Sequence, residues 1–240
     1  MRTFLILLFF LSNFVIYTCF AESENHDELN YVLKRVSEAN KGITSLKADI
    51  TLTRSIPLLE SEEISKGILI YNKPKRFLIK FEPPRNEINI IDGENILIYH
   101  VDQKQVEKYA ISDMGANSLM DVFTDFGLDG TIDAIKEKYD IRLAGKQNNF
   151  DEVNKNKGTG KVLYKLDLKL KTDKSNGNYS GIQLWIHGEL WMPVIFELYE
   201  SNGEILNRIE LNNIVLNKHD DVEVFSLHIP EDVVVVEPLK

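Results

Sequence analysis

The chain has 240 residues and carries 28 Lys and Arg against 37 Asp and Glu, a formal net charge of −9. An acidic balance of this size excludes a nucleic-acid binder, which draws its affinity from neutralising phosphates with Lys and Arg. A single cysteine, Cys19, excludes an internal disulfide framework and multi-cysteine metal sites.

The N-terminal stretch is apolar. Arg2 gives a short positive start, Phe4 to Leu11 is an unbroken apolar run, and Cys19-Phe20-Ala21 offers a small-x-small end. These features predict a secretory signal peptide over residues 1–21, cleaved after Ala21. The alternative is an uncleaved membrane anchor. Its run, Phe4 to Phe20, is 17 residues long and is broken by Ser12 and Asn13, short of the roughly 20 residues a span needs. Tyr17 and Thr18, ahead of Cys19, argue against a lipid-attachment site, which takes small residues there. Cleavage leaves residues 22–240 with no thiol and a net charge of −10, a size that suits one domain around one core.

Residues 25–46 read as an amphipathic helix, with Leu29, Val32, Leu33, Val36, Ile43 and Leu46 at helical spacing and Gly42 as its stop. Alternation then takes over. Leu46, Ala48, Ile50 and Leu52 share one strand face, and "GILIY" (67–71), "RFLIKF" (76–81) and "EINII" (87–91) follow as further strands. In "YNKPKRFLIKFEPP" (71–84), Phe77, Ile79 and Phe81 fall on one face, with Leu78 and Lys80 on the other. Asp92-Gly93 signals a two-residue hairpin turn into "NILIYHV" (95–101), with "QVEKYAI" (105–111) as the next partner.

A second helical pattern covers 117–139, where Leu119, Val122, Phe123 and Phe126 and then Ile132, Ile135 and Tyr139 recur at helical spacing. Residues 146–160 read as a polar loop. Strands resume at "VLYKLDLKL" (162–170), with Val162, Tyr164, Leu166, Leu168 and Leu170 facing in, and continue through "GIQLWI", "PVIFELYE", "ILNRIELNNI" and "EVFSLHI". The expected fold is mainly β (α+β), a half-open antiparallel barrel of about ten or eleven strands with amphipathic helices as lid or plug, since so long a sheet tends to curl.

Local signatures of catalysis are missing from this sequence: it holds no G-x-S-x-G, H-E-x-x-H or G-x-G-x-x-G. "GTGK" (158–161) fails as a phosphate loop, because Lys155 stands where glycine is required and Val162 where Ser or Thr is. The histidines have no metal-ligand spacing; His100 and His187 could meet across the sheet, but a hydrogen-bonded or surface histidine is the expected reading of each. Glu62-Glu63, Asp151-Glu152 and Asp220-Asp221 read as solvated turn charge.

The order of features resembles the LolA family of periplasmic carriers of outer-membrane lipoproteins. "LKADITLTR" (46–54) is similar to that family's first strand. "GILIYNKPKRFLIKFEPP" (67–84) resembles its pattern of glycine, strand, basic-Pro-x-x-Phe and a second strand ending in proline. "NIIDGENILIYHVDQKQVEKY" (89–109) resembles its next hairpin, and the 207–236 segment, with Phe225 and a P-x-x-V ending, its closing strands. The resemblance implies a monomeric carrier with no catalytic residue, metal or cofactor. It implies an apolar cavity that takes acylated lipoproteins from an inner-membrane ATP-driven lipoprotein exporter and delivers them to an outer-membrane receptor, in the periplasm of a Gram-negative bacterium. Ile50, Leu52, Phe77, Ile79, Phe81, Trp185 and the lid residues Leu119, Met120, Val122, Phe123 and Phe126 are the expected cavity lining. The family's basic residue before the proline is usually arginine, which holds the lid closed; here Lys73 takes that place, without the planar fork. Two other readings keep the fold or the compartment: a lipid- or lipoprotein-sensing or LolB-like receptor protein, and a lipid-acting enzyme, which needs convergent polar groups in the cavity.

Overall fold

Alternating apolar residues from Ser45 onward are spent on one sheet. The computed structural model describes residues 26–56, 59–110, 132–148, 162–171, 179, 181–199, 205–218, 222–226 and 230–237. The strands are β1 (Ser45–Ile56), β2 (Ser61–Asn72), β3 (Arg76–Phe81), β4 (Glu87–Ile91), β5 (Asn95–His100) and β6 (Gln105–Ala110). After the helix α2 (Ile132–Lys138) come β7 (Tyr139–Gln147), β8 (Leu163–Leu170), β9 (Gly181–His187), β10 (Pro193–Tyr199), β11 (Ile205–Leu216) and β12 (Val234–Val236). The helix α1 spans 26–42. Among the described residues the twelve strands form one sheet in the order β12-β6-β5-β4-β3-β2-β1-β11-β10-β9-β8-β7. Its two edges, β12 and β7, do not pair with each other, so the sheet stays open.

This is the expected mainly β, open-sheet architecture, with three local departures. The strand number is twelve, and β12 runs parallel to β6, with Val234 opposite Gln105. The helix ends at Gly42, the expected stop, and Leu46 lies in β1 with Ala48, Ile50 and Leu52, as its alternation predicts. Tyr139 opens β7, where a helix end is expected, and Ile141 and Leu143 continue its inward face. Val222–Phe225 is a 3-10 turn and no part of a strand. That turn sets Phe225 against Ile70, Leu78 and Ile90 on the outer face of β2–β4.

The inner face carries the main core. Ala48, Ile50 and Leu52 of β1, Leu69 and Tyr71 of β2, Phe77, Ile79 and Phe81 of β3, and Ile209 and Leu211 of β11 share one buried cluster with Val32, Leu33 and Val36 of α1. Each Val, Leu, Ile or Phe among them contributes about 1.5–3 kcal/mol on full burial. Edge strand β7 is guarded by Asp140, Arg142 and Lys146 and by a register shift between Leu143 and Gly145, devices that discourage pairing with another chain.

The hairpin turn sits one residue further along than Asp92-Gly93: Ile91 pairs with Ile96, the Asp92 N–H donates to the Asn95 carbonyl at 3.2 Å, and Gly93 and Glu94 lie between. Gly93 takes φ 106°, a conformation that favours glycine. The Asp92 carboxylate accepts the backbone N–H groups of Glu94 and Asn95 at 2.9 and 2.7 Å. Partial burial pushes its pKa up, but the hydrogen bonds from Asn95 and Glu94 outweigh it and leave the group below its ordinary 3.8. A depressed carboxylate stabilises the fold above that value, and the contribution is lost as pH falls through the folded pKa. Asp92→Ala is therefore expected to cost about 1 kcal/mol at neutral pH. Urea unfolding should show the gap between variant and wild type shrinking as the pH falls below that ordinary value.

Candidate functional site

Five of the residues expected on an apolar surface come together. Ile50, Leu52, Phe77, Ile79 and Phe81 all lie on the inner face, each at most 4% exposed. Register places them side by side: Ile50 faces Gly67, which faces Phe81, and Phe77 faces Tyr71, with ring centroids 4.8 Å apart. Leu119, Met120, Val122, Phe123 and Phe126 lie outside the described residues.

Trp185 lies elsewhere. Ile182, Leu184 and Ile186 point inward from β9, so Trp185 points outward, against Leu163, Val194 and Ile195. Lys165 Nζ and the Arg208 guanidinium cover its ring at 4.9 and 5.6 Å. The inward-facing tryptophan is Trp191, in the turn between β9 and β10. It stacks on Tyr164 at 5.6 Å, meets Tyr31 of α1 edge-on at 5.5 Å, and lies beneath Arg35 at 4.9 Å. Phe196 and Leu198 of β10 join the same inner cluster.

Lys73 sits in the turn between β2 and β3, and its Nζ donates to the Asn40 carbonyl in the last turn of α1 at 2.7 Å. Asn217 donates to the Gly42 carbonyl at 3.0 Å and accepts from the Thr44 N–H at 2.8 Å. The final carbonyls of a helix have no partner inside it and carry the negative end of its dipole, so a lysine there satisfies both. Lys73→Ala is expected to weaken the C-terminal turn of α1 by about 1 kcal/mol, read as faster amide exchange over residues 38–44 with little change in β8–β10. Lys73→Arg should restore protection.

A polar network, not foreseen from the sequence, occupies the inner face of β4–β6. Arg85 and Asn89 donate to the Glu87 carboxylate at 3.0 and 2.9 Å. The His100 ring nitrogens stand 3.3 Å from Glu87 and 3.4 Å from Glu107. Tyr109 donates to Glu107 at 2.6 Å, and that hydrogen bond, with burial, raises its pKa to about 12. His100 does not meet His187, because six strands lie between β5 and β9. The His187 ring instead accepts the backbone N–H groups of Glu189 and Leu190. Among the described residues no group of three His, Cys, Asp or Glu is arranged to hold a metal ion.

Two clefts lie toward the β7 end of the sheet, one on its outer face and one at the edge of its inner face. One, of about 600 Å³, is polar and lined by outward-facing Asp140, Arg142, Asp167, Lys169, Gln183 and Tyr199. The other, of about 430 Å³, lies where the N-terminal turn of α1 (His26, Leu29) passes β7 at Ile141 and Leu143.

An open sheet whose inner face is largely apolar and is covered, among the described residues, by α1 and α2 defines a half-barrel with a coverable apolar surface. The chain belongs to the LolA family: the family model described as outer membrane lipoprotein carrier protein LolA matches residues 41–228. That stretch holds every inner-face strand residue named above together with Lys73, and begins just after Asn40. Outer-membrane lipoprotein carrier proteins of Legionella pneumophila, strains Lens and Corby, are each 28% identical over 173 residues, covering 72% of this chain and 74% of theirs. The crystal structure of an uncharacterised conserved protein from Thermus thermophilus shares the fold, with a TM-score of 0.54 and 15% identity over 88% of this chain and 99% of that one.

Proposed function

We propose that the protein binds the acyl chains of lipoproteins on its inner face and shuttles them across the periplasm of a Gram-negative bacterium, from an inner-membrane lipoprotein-releasing ABC transporter to an outer-membrane receptor. The observation that carries this reading is the apolar inner face of β1–β3, with Ile50, Leu52, Phe77, Ile79 and Phe81 among its residues, covered by α1 in an open sheet. Exposing an acyl chain to water costs about 0.8 kcal/mol per methylene, so two or three long chains cost tens of kcal/mol. A roof that moves aside lets the same side chains exchange core contacts for lipid contacts, and Phe and Met, as at Phe77, Met120 and Phe123, adapt to variable shapes. Leu119, Val122 and Phe126 complete the proposed roof. Lys73 is the proposed latch, through the end of α1. The carrier works as a monomer without cofactor or catalytic residue.

The polar network around His100 invites the second reading, a lipid-acting enzyme. Its carboxylates are engaged by Arg85, Asn89, His100 and Tyr109, an arrangement that supports a structural tie across β4–β6.

A release assay tests the proposal. Residues 22–240, added to energised spheroplasts holding a radiolabelled outer-membrane lipoprotein, are expected to bring the label into the soluble fraction. The Phe77→Glu variant should not. Label that stays with the membrane at every concentration of folded wild-type protein would contradict the carrier reading.

A further inference from the structure

The inner face changes character at the end farthest from the C-terminus of α1. Beyond Leu52 on β1 comes Arg54, which pairs in register with Asn207 of β11 on one side and Glu63 of β2 on the other. Beside Leu52 stands Ser65, paired with it across β1 and β2. Alternation puts Ser65 on the same face as Leu69 and Tyr71. Ser65 is 1% exposed, and its Oγ has no hydrogen-bond partner among the described residues. A buried hydroxyl left unpaired costs the protein the desolvation of that group. Arg54 is exposed and makes no hydrogen bond or ion pair with a described residue, although Glu63 faces it in register. Tyr179 packs against the same apolar cluster, and its oxygen accepts from Asn207 Nδ2 at 3.1 Å. That bond leaves the phenolic proton free to donate elsewhere. Burial pushes the Tyr179 pKa up, so the phenol keeps its proton.

Three donors without acceptors among the described residues thus border the end of the apolar face: a guanidinium, a buried hydroxyl and a phenol. We propose that Arg54, Ser65 and Tyr179 form a head site for the oxyanion, carboxylate or phosphate, of an amphiphile whose tail lies along Leu52, Ile209 and Phe81. The guanidinium fork matches the paired oxygens of either anion. Asn207 is a positioning residue that orients the phenol. The inference rests on the apolar face being a lipid surface, and it adds that the protein selects among amphiphiles by their heads.

Displacement of the neutral apolar probe N-phenyl-1-naphthylamine from purified protein tests it, with oleate, oleoyl-lysophosphatidic acid and monoolein as competitors sharing one tail. At least one of the two anions is expected to displace the probe at a concentration at least tenfold below that of monoolein, and which anion is stronger tells a fatty acid from a phospholipid. Arg54→Gln should erase that preference while leaving monoolein unchanged, and Arg54→Lys should keep part of it. Ser65→Ala should act with opposite signs: a higher Tm without ligand, since it removes an unpaired buried hydroxyl, and weaker oleate binding. Equal displacement by all three amphiphiles, or an anion preference that survives Arg54→Gln, would overturn the head site alone. A probe that binds nowhere, with no amphiphile bound, would overturn the lipid surface as well.

Discussion

Gly67→Ala is expected to destabilise the protein by at least about 3 kcal/mol, a fall in Tm of about 6–12 °C for a domain of this size. Gly67 lies on β2 opposite Phe81 of β3. A Cβ at this position would stand 2.0 Å from the Lys80 carbonyl oxygen and 2.9 Å from the Phe81 Cα. Both are backbone atoms, so no rotamer change relieves the contact and the two strands must separate. Separation breaks the ladder beside Ile79 and Phe81, in the middle of the inner face. Gly42→Ala is the control, since a Cβ there meets nothing within 4 Å. Thermal unfolding of the two variants should differ sharply; equal Tm values would contradict the close approach of β2 and β3.

Phe77→Ala is expected to cost about 3–5 kcal/mol, because Phe77 is fully buried against Tyr71 and truncation leaves a cavity the surroundings only partly refill. The proposed function adds a second expectation. The cavity opens on the face that takes acyl chains, so a long-chain lipid should restore more stability to this variant than to wild type. A ligand at a hundred times its Kd contributes about 2.7 kcal/mol. Phe225→Ala empties a site on the outer face, among Ile70, Leu78 and Ile90, and should lose stability without that extra rescue. Tm measured with and without lipid for the three proteins decides it. Equal rescue of both variants would mean that lipid does not choose the inner face.

The strand faces were legible wherever alternation was uninterrupted, as in Phe77, Ile79 and Phe81 or Tyr164, Leu166 and Leu168. The same rule, applied to Ile182, Leu184 and Ile186, puts Trp185 on the opposite face. β7 was legible too, in the alternation of Tyr139, Ile141 and Leu143 with Asp140 and Arg142. The helical spacing of Ile132, Ile135 and Tyr139 masked it, since short apolar runs fit both periods. Contacts set by long-range register had no local signal. Nothing near Lys73 names the Asn40 carbonyl 33 residues away, and nothing near Glu87 names His100 or Glu107 before the β4–β5–β6 register is known. No local pattern marks Ser65 as buried with a hydroxyl unpaired among the described residues. The parallel run of β12 beside β6 follows from where the chain returns, a matter of topology and not of the valines themselves.

The most direct test of the central claim is native mass spectrometry of residues 22–240 mixed with a triacylated lipoprotein in aqueous buffer. The expected result is a one-to-one complex that survives without detergent and is lost in folded Phe77→Glu protein. Folded wild-type protein that forms no complex with the lipoprotein, at concentrations where the lipoprotein alone aggregates, would show that the inner face is a fixed core and not a surface for acyl chains.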